Sequence, residues 1–343
     1  MNNLIGFKNI SLYSLNGLRS GKSLVRRRTF EMLKCKEFYY DRFKKFNNVF
    51  FSDKINWKYN LDGKCKKTFE EICIDRVNEF YNKYDKIILC VSGGISSVTI
   101  LSAFALANCL DKLIVIFDQD IIENKSILID WFKKNNIEMV NCKEEDFIDK
   151  IKNILKIYPN SVITNGKCGD QISHGISSID LKRFGQFDPN VDYNYYFEFS
   201  RFDLLKEWIE KYPFKEDIKT LHHLTWLVNF SVCWMYQETI FMFLYKQLPP
   251  SIHKAFFATQ EFTDWAINNL DIILSGKPWE GDIYYKPHFK EVIRKVFGNQ
   301  FDRCSKLESL NVLWNLDMEK IAQNDNIFAT DGQKFYTLDF IEK

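Results

Sequence analysis

Ile87-Ile88-Leu89-Cys90-Val91-Ser92-Gly93-Gly94-Ile95-Ser96-Ser97 is the stretch on which the fold turns. An apolar run leads straight into Ser-Gly-Gly, and the small, apolar, helix-length segment 97–110 follows. A short apolar run closed by glycines reads as a buried strand, and the glycines as its turn into a helix. Further runs at 113–117, 138–142 and 161–164 repeat the pattern, each separated from the last by a segment long enough for a helix. Strands alternating with helices build a parallel sheet through right-handed crossovers. The expected fold is therefore α/β, with a parallel-sheet core of the nucleotide-binding type.

The connecting segments agree. Residues 123–135 carry Ile127, Leu128, Trp131 and Phe132 at helical spacing, and 144–157 place Phe147, Ile148, Ile151 and Leu155 on one face. The acidic run Glu144-Glu145-Asp146 suits a helix N-terminus. Residues 69–84 read as a helix feeding the first strand. Beyond about 195 the strand alternation stops, and apolar-periodic segments at 199–211, 216–247, 261–274 and 287–298 predict a helical continuation. The chain divides into 1–68, to which the sequence assigns no fold; 69–195, the nucleotide-binding core; and 196–343, a mostly helical part completing it.

Composition excludes several classes. The 343 residues are 46% hydrophobic and 16% aromatic, enough to bury a large core, and 14 Gly and 7 Pro argue against low complexity. Charge is nearly balanced at +2, without the basic excess of a dedicated nucleic-acid binder. Residues 226–248 come nearest to a membrane span but carry Gln237, Glu238 and Lys246, so they read as a buried helix. No basic stretch leads into an apolar segment at the start, so no secretory signal is expected. The nine cysteines show no Cys-x-x-Cys spacing, which signals neither a disulfide framework nor zinc and suits a reducing cytoplasmic home.

Two loops could carry chemistry. In the first, Gly93 and Gly94 let the backbone bend and expose successive N–H groups, the following helix adds its positive end, and Ser92 and Ser97 add hydroxyls. Together these make an anion cradle suited to phosphate, or else a plain glycine-rich turn. The second loop follows the fourth strand: Thr164-Asn165-Gly166-Lys167-Cys168-Gly169-Asp170-Gln171, running on to His174 and Gly175. Ligands of open parallel sheets sit beyond the carboxyl ends of the strands, so both loops should border one cleft. Asp170 could there hold Mg²⁺ against phosphate oxygens, the alternative being a helix cap or a solvated loop carboxylate.

The first loop resembles the Ser-Gly-Gly-x-Asp-Ser pyrophosphate loop of the PP-loop ATP pyrophosphatases, whose core is adenine nucleotide alpha hydrolase-like. The second resembles the Gly-Glu-Gly-x-Asp-Glu…Gly loop of the asparagine synthetase branch. Residues 257–265, 285–294, Phe297-Gly298 and Lys306-Leu307-Glu308 are similar to that branch's helical tail, so the resemblance covers roughly 70–330. It implies ATP split between its α and β phosphates, a small-molecule carboxylate or carbonyl adenylated, and a nitrogen nucleophile completing the ligation. Ser92, Gly93, Gly94, Ser96 and Ser97 would hold pyrophosphate, with Gly166 in the facing loop. Asp170 would bind Mg²⁺, Phe117 and Asp118 would lie by the adenine, and Lys306 would stabilise the reacting phosphate.

The departures are informative. Ser96 stands where the family has a metal-binding Asp, Lys167 where the branch has a catalytic Glu, and Gln171 where Glu is usual. Such a cleft could hold ATP phosphates by direct charge pairing while binding Mg²⁺ poorly. Residue 2 is Asn, not the nucleophilic Cys of glutamine-hydrolysing synthetases, so nitrogen would come from ammonia, a separate glutaminase or an amine on the substrate, as in β-lactam synthetases and lasso-peptide cyclases. Alternatives are a nucleobase-modifying enzyme of the same superfamily and a nucleotide-binding pseudoenzyme.

Other features read as ordinary. The segment Gly17 to Ser23 is one residue short of a Walker loop. His222 and His223 lack partners at ligand spacing, and Lys286 and Arg294 read as structural or helix-surface charges. The aromatic cluster 193–199 reads as core or a partner contact, with a substrate pocket as the alternative.

Overall fold

A computed structural model describes residues 5–6, 65–120, 122–143, 146–170, 172–173, 188–192, 215–228, 230, 248–276, 285–302, 329–330 and 335–336. Its centre is a four-stranded sheet of β1 (Lys86–Cys90), β2 (Leu113–Phe117), β3 (Glu138–Asn141) and β4 (Ser161–Asn165) in the order β3-β2-β1-β4. Every pairing is parallel. Ile88 stands opposite Ile114 on one side and Ile163 on the other. Apart from Lys86 at the start of β1, the inner strands are apolar, because both faces of the sheet are covered.

Alternate residues serve different cores, as the two-residue period of a strand requires. Ile87, Leu89, Leu113, Val115 and Val162 join the larger cluster, whereas Ile88, Ile114, Ile116 and Ile163 join a smaller one. The smaller cluster is closed by Phe147, Ile151 and Ile154 of helix α4 (Phe147–Ile157) and by Leu248. Over the larger one lie α1 (Phe69–Lys83), α2 (Ile95–Leu106) and α3 (Lys125–Lys134), joined by α5 (Leu221–Val228), α6 (Gln260–Asn268), α7 (Leu270–Ser275) and α8 (Pro287–Phe297). α2 is buried almost all round, with α8 along it and α1 beside it. α1 starts from a capping box: Glu71 N donates to Thr68 Oγ1 at 3.2 Å and Thr68 N to Glu71 Oε2 at 2.7 Å.

The elements differ from expectation in small, explicable ways. α2 begins at Ile95 because Gly94 takes the cap position. The expected helix 261–274 is two helices, since Asn269 leaves helical geometry and donates its side-chain amide to Trp265 O at 2.8 Å. A separate three-stranded sheet, which the sequence did not signal, pairs Ile5–Gly6 with Ala329–Thr330 and the latter with Phe335–Tyr336, both antiparallel. It joins segments that the sequence placed in different parts of the chain. Segment 199–211 and the aromatic cluster 193–199 lie outside the described residues, as does the Walker-like segment. Among the described residues no helix is long and apolar enough to cross a membrane, and the six cysteines are free thiols.

Candidate functional site

The strand order reverses at β1, with β2 on one side and β4 on the other. Open sheets bind ligands at such a reversal, beyond the carboxyl ends of the strands. The loops that leave β1 and β4 are the two that carry the sequence motifs.

Gly93 takes φ +78°, and a Cβ there would stand 1.9 Å from the Glu123 carbonyl oxygen, so only glycine fits. The chain at 123–124 clamps this turn: Glu123 N donates to Ser92 O at 2.9 Å and Asn124 Nδ2 to Gly93 O at 3.1 Å. The cap residue of α2, Gly94, has no side chain with which to bond the first-turn amides, and the positive end of the helix lies at the two loops. Ser97 Oγ donates to Gly94 O at 2.9 Å and lies 3.4 Å from Ser92 Oγ, while Gly94 N donates to Ser92 Oγ at 3.3 Å. Ser97 is buried and Ser92 exposed.

The loop after β4 meets this turn directly. A Cβ on Gly166 would stand 2.8 Å from Ser96 Cβ and 2.9 Å from Ser97 N, so the two backbones touch. A lysine from the start of α8 completes the junction. Lys286 Nζ lies 2.5 Å from Asp170 Oδ1 and donates to Ser96 Oγ at 2.6 Å, and Tyr285 OH donates to the same Asp170 oxygen at 3.3 Å. The Lys286 side chain is 1% exposed and that of Asp170 23%. The ammonium also lies 4.9 Å from the Phe289 ring centre, within cation–π range.

Backbone strain gathers at the same place. Among the described residues, the non-glycines with positive φ are Asn108, Asn124, Asn136, Cys168 and Lys286. Asparagine tolerates this region, but cysteine and lysine hold it at a cost of about 1–3 kcal/mol each. Both of those residues border the crevice, Cys168 in the β4 loop and Lys286 at the head of α8.

A second layer fixes the β4 loop. Asn165 Nδ2 lies 3.1 Å from His253 Nε2, and Asn165 Oδ1 accepts from Lys167 N at 2.9 Å. Burial, helped by the charges of Lys167 and Lys254, pushes the His253 pKa down to about 3. The imidazole is thus neutral near pH 7 and accepts from the Asn165 amide. The Glu123 carboxylate lies across the β1 loop, its oxygens 3.6 and 3.7 Å from where a Gly94 Cβ would stand. Its Oε1 is buried without a hydrogen-bond partner among the described residues.

The structure brings the β1 loop, with Ser92, Gly93, Gly94, Ser96 and Ser97, against the β4 loop, with Gly166, Lys167 and Asp170, while the charge of Lys167 acts on Cys90 and His253. It does not bring the Phe117 ring there: that side chain is buried and packs on Phe132 with ring centres 6.0 Å apart. Asp118 ends β2 half-buried, its carboxylate accepting from Asp120 N at 2.8 Å. Gln171, His174 and Lys306 lie outside the described residues. Of the two readings of Lys286, a structural or a helix-surface charge, the structural one holds, since it is buried on Asp170, a partner that sequence reasoning missed. It also missed Glu123, His253 and Asn165. The signal for Lys286 was its place just before Pro287, which starts α8. His222 is buried, and among the described residues His223 pairs with backbone groups, at Asp217 O, Lys219 N and Leu274 O.

No family model, curated protein or solved structure matches the chain.

The magnesium ion that the sequence resemblance implies does not fit this donor set. Mg²⁺ asks for several oxygens in near-octahedral array. Here Asp170 is already bonded to an ammonium, and the same ammonium engages the neighbouring Ser96 hydroxyl. Among the described residues no group of three or more His, Cys, Asp or Glu is placed to hold a metal.

Proposed function

We propose that this chain is an ATP-dependent, AMP-forming ligase of the PP-loop type. It adenylates a carboxylate or carbonyl of a small molecule and passes it to a nitrogen nucleophile, with ammonia supplied free or by a separate glutaminase. One observation carries the reading: the loops after β1 and β4 meet in a single crevice at the strand reversal. The amides at the head of α2 and the exposed hydroxyl of Ser92 would form a preorganised set of donors there. Such a set stabilises negative charge as it grows on a departing pyrophosphate, and catalysis of this kind is positioning plus electrostatics. Lys306 would join it by the resemblance of the tail.

Release of AMP and pyrophosphate from ATP, in the presence of ammonium and a metabolite extract, tests the reading. The native chain is expected to form AMP, and Lys286→Met, checked to melt at the native temperature, is expected to form at least about tenfold less because it leaves the Asp170 carboxylate bare beside the donors. The engagement of Asp170 by Lys286 favours a second reading, nucleotide binding without turnover. ATP binding with no AMP from any extract would select it, and absence of ATP binding would refute both.

A further inference from the structure

We infer that Lys286 stands in for a divalent cation, so that the crevice accepts a polyphosphate chain, that of ATP or pyrophosphate itself, without a metal held by the protein. The inference rests on the nucleotide-binding reading above and adds to it the means by which the charge is handled.

A carboxylate beside a phosphate site repels its ligand. Asp170 stands in the loop packed on the head of α2, where a phosphate would be received. A metal ion bridging carboxylate and phosphate is one remedy, and a cation carried by the chain is another. Lys286 Nζ bonds Asp170 Oδ1 at 2.5 Å and Ser96 Oγ at 2.6 Å, spanning the two loops as a bridging ion would. Its side chain is 1% exposed, so water screens the pair little. It reaches this place from a left-handed backbone at φ 50° just before Pro287, a conformation that lysine does not favour and that the fold imposes. Ser96 supplies a neutral acceptor, where a second carboxylate would leave the ammonium overbalanced. With Asp170 neutralised, the amides at the head of α2 face one opposing carboxylate fewer, Glu123 across the β1 loop being the one still beside them.

Calorimetric titration of the full chain with pyrophosphate and with ATP, each in EDTA and in excess Mg²⁺, tests this. Native protein is expected to bind both in EDTA within about threefold of its affinity in Mg²⁺. Lys286→Met is expected to lose about tenfold or more in EDTA, because Asp170 is left bare. The double variant Asp170→Asn/Lys286→Met, which removes the pair and still serves if the single variant fails to fold, is expected to bind in EDTA as the native chain does. Tight native binding only with Mg²⁺, unchanged binding by a folded Lys286→Met, or loss of EDTA binding by the double variant would each overturn the inference and leave the nucleotide-binding reading standing. Absence of binding by the native chain in either buffer would overturn that reading as well.

Discussion

Acid should loosen the β4 loop through His253. The ring is buried at the end of β4, and its pKa falls from an ordinary 6.5 to about 3, mainly because burial disfavours the charged form. The unfolded chain thus takes up a proton below about 6.5 while the folded chain resists until about 3. Stability from this group is complete above 6.5 and is lost as pH falls toward 3. Each pH unit inside that window costs about 1.4 kcal/mol, so going from pH 7 to pH 5 removes about 2 kcal/mol. His223, also lowered by burial, adds loss of the same sign. The His253 share is isolated by His253→Gln, which keeps an acceptor for the Asn165 amide and cannot titrate. Urea unfolding at both pH values should give the native chain a fall in stability about 2 kcal/mol larger than that of the variant. Because Asn165 also holds Lys167 N at 2.9 Å, nucleotide affinity should fall over the same range. Parallel pH dependence in the two proteins would refute the burial argument.

Two substitutions probe the loops themselves. Gly166→Ala places a Cβ 2.8 Å from Ser96 Cβ and 2.9 Å from Ser97 N, and one of these is backbone that cannot swing aside. It should cost about 1–3 kcal/mol in urea unfolding and weaken pyrophosphate binding by parting the loops; native affinity would show that they need not touch. Glu123→Gln removes a negative charge beside the β1 loop and eases a buried carboxylate oxygen. It should tighten pyrophosphate binding about fivefold, on the order of 1 kcal/mol, by calorimetry. Weaker binding would show instead that Glu123 holds the ligand.

The sheet was legible because its signals are local. Apolar runs of strand length, separated by segments with helical periodicity, need no long-range information, and Leu113–Phe117 is placed to the residue. The turn from β1 into α2 was legible for the same reason, since Gly93 and Gly94 stand just past the strand and before the helix. What escaped depends on contacts across the chain. Lys286 meets Asp170 only because α8 packs along α2, and no periodicity in 285–298 states that packing. His253 reaches Asn165 through a parallel bridge beside Ile163, a contact made by an irregular segment without strand patterning. The sheet of two-residue strands joins both ends of the described chain, and pieces that short carry no alternation to read.

Ser96 and Lys286 make sense only when taken together. Against the resemblance Ser96 alone reads as a missing metal ligand, and Lys286 alone as a structural or helix-surface charge. In the fold the two form one unit, because the Lys286 ammonium bonds the Ser96 hydroxyl. A Cβ at Gly169 would stand 2.8 Å from Ser96 Oγ, so the β4 loop passes close over that hydroxyl. Ser96→Asp would set two carboxylates on one buried ammonium, adding repulsion where, on the proposed function, a phosphate enters. A single acidic substitution at 96 therefore runs against the charge balance of the Lys286 pair, and an arrangement that held a metal there would need both residues changed together.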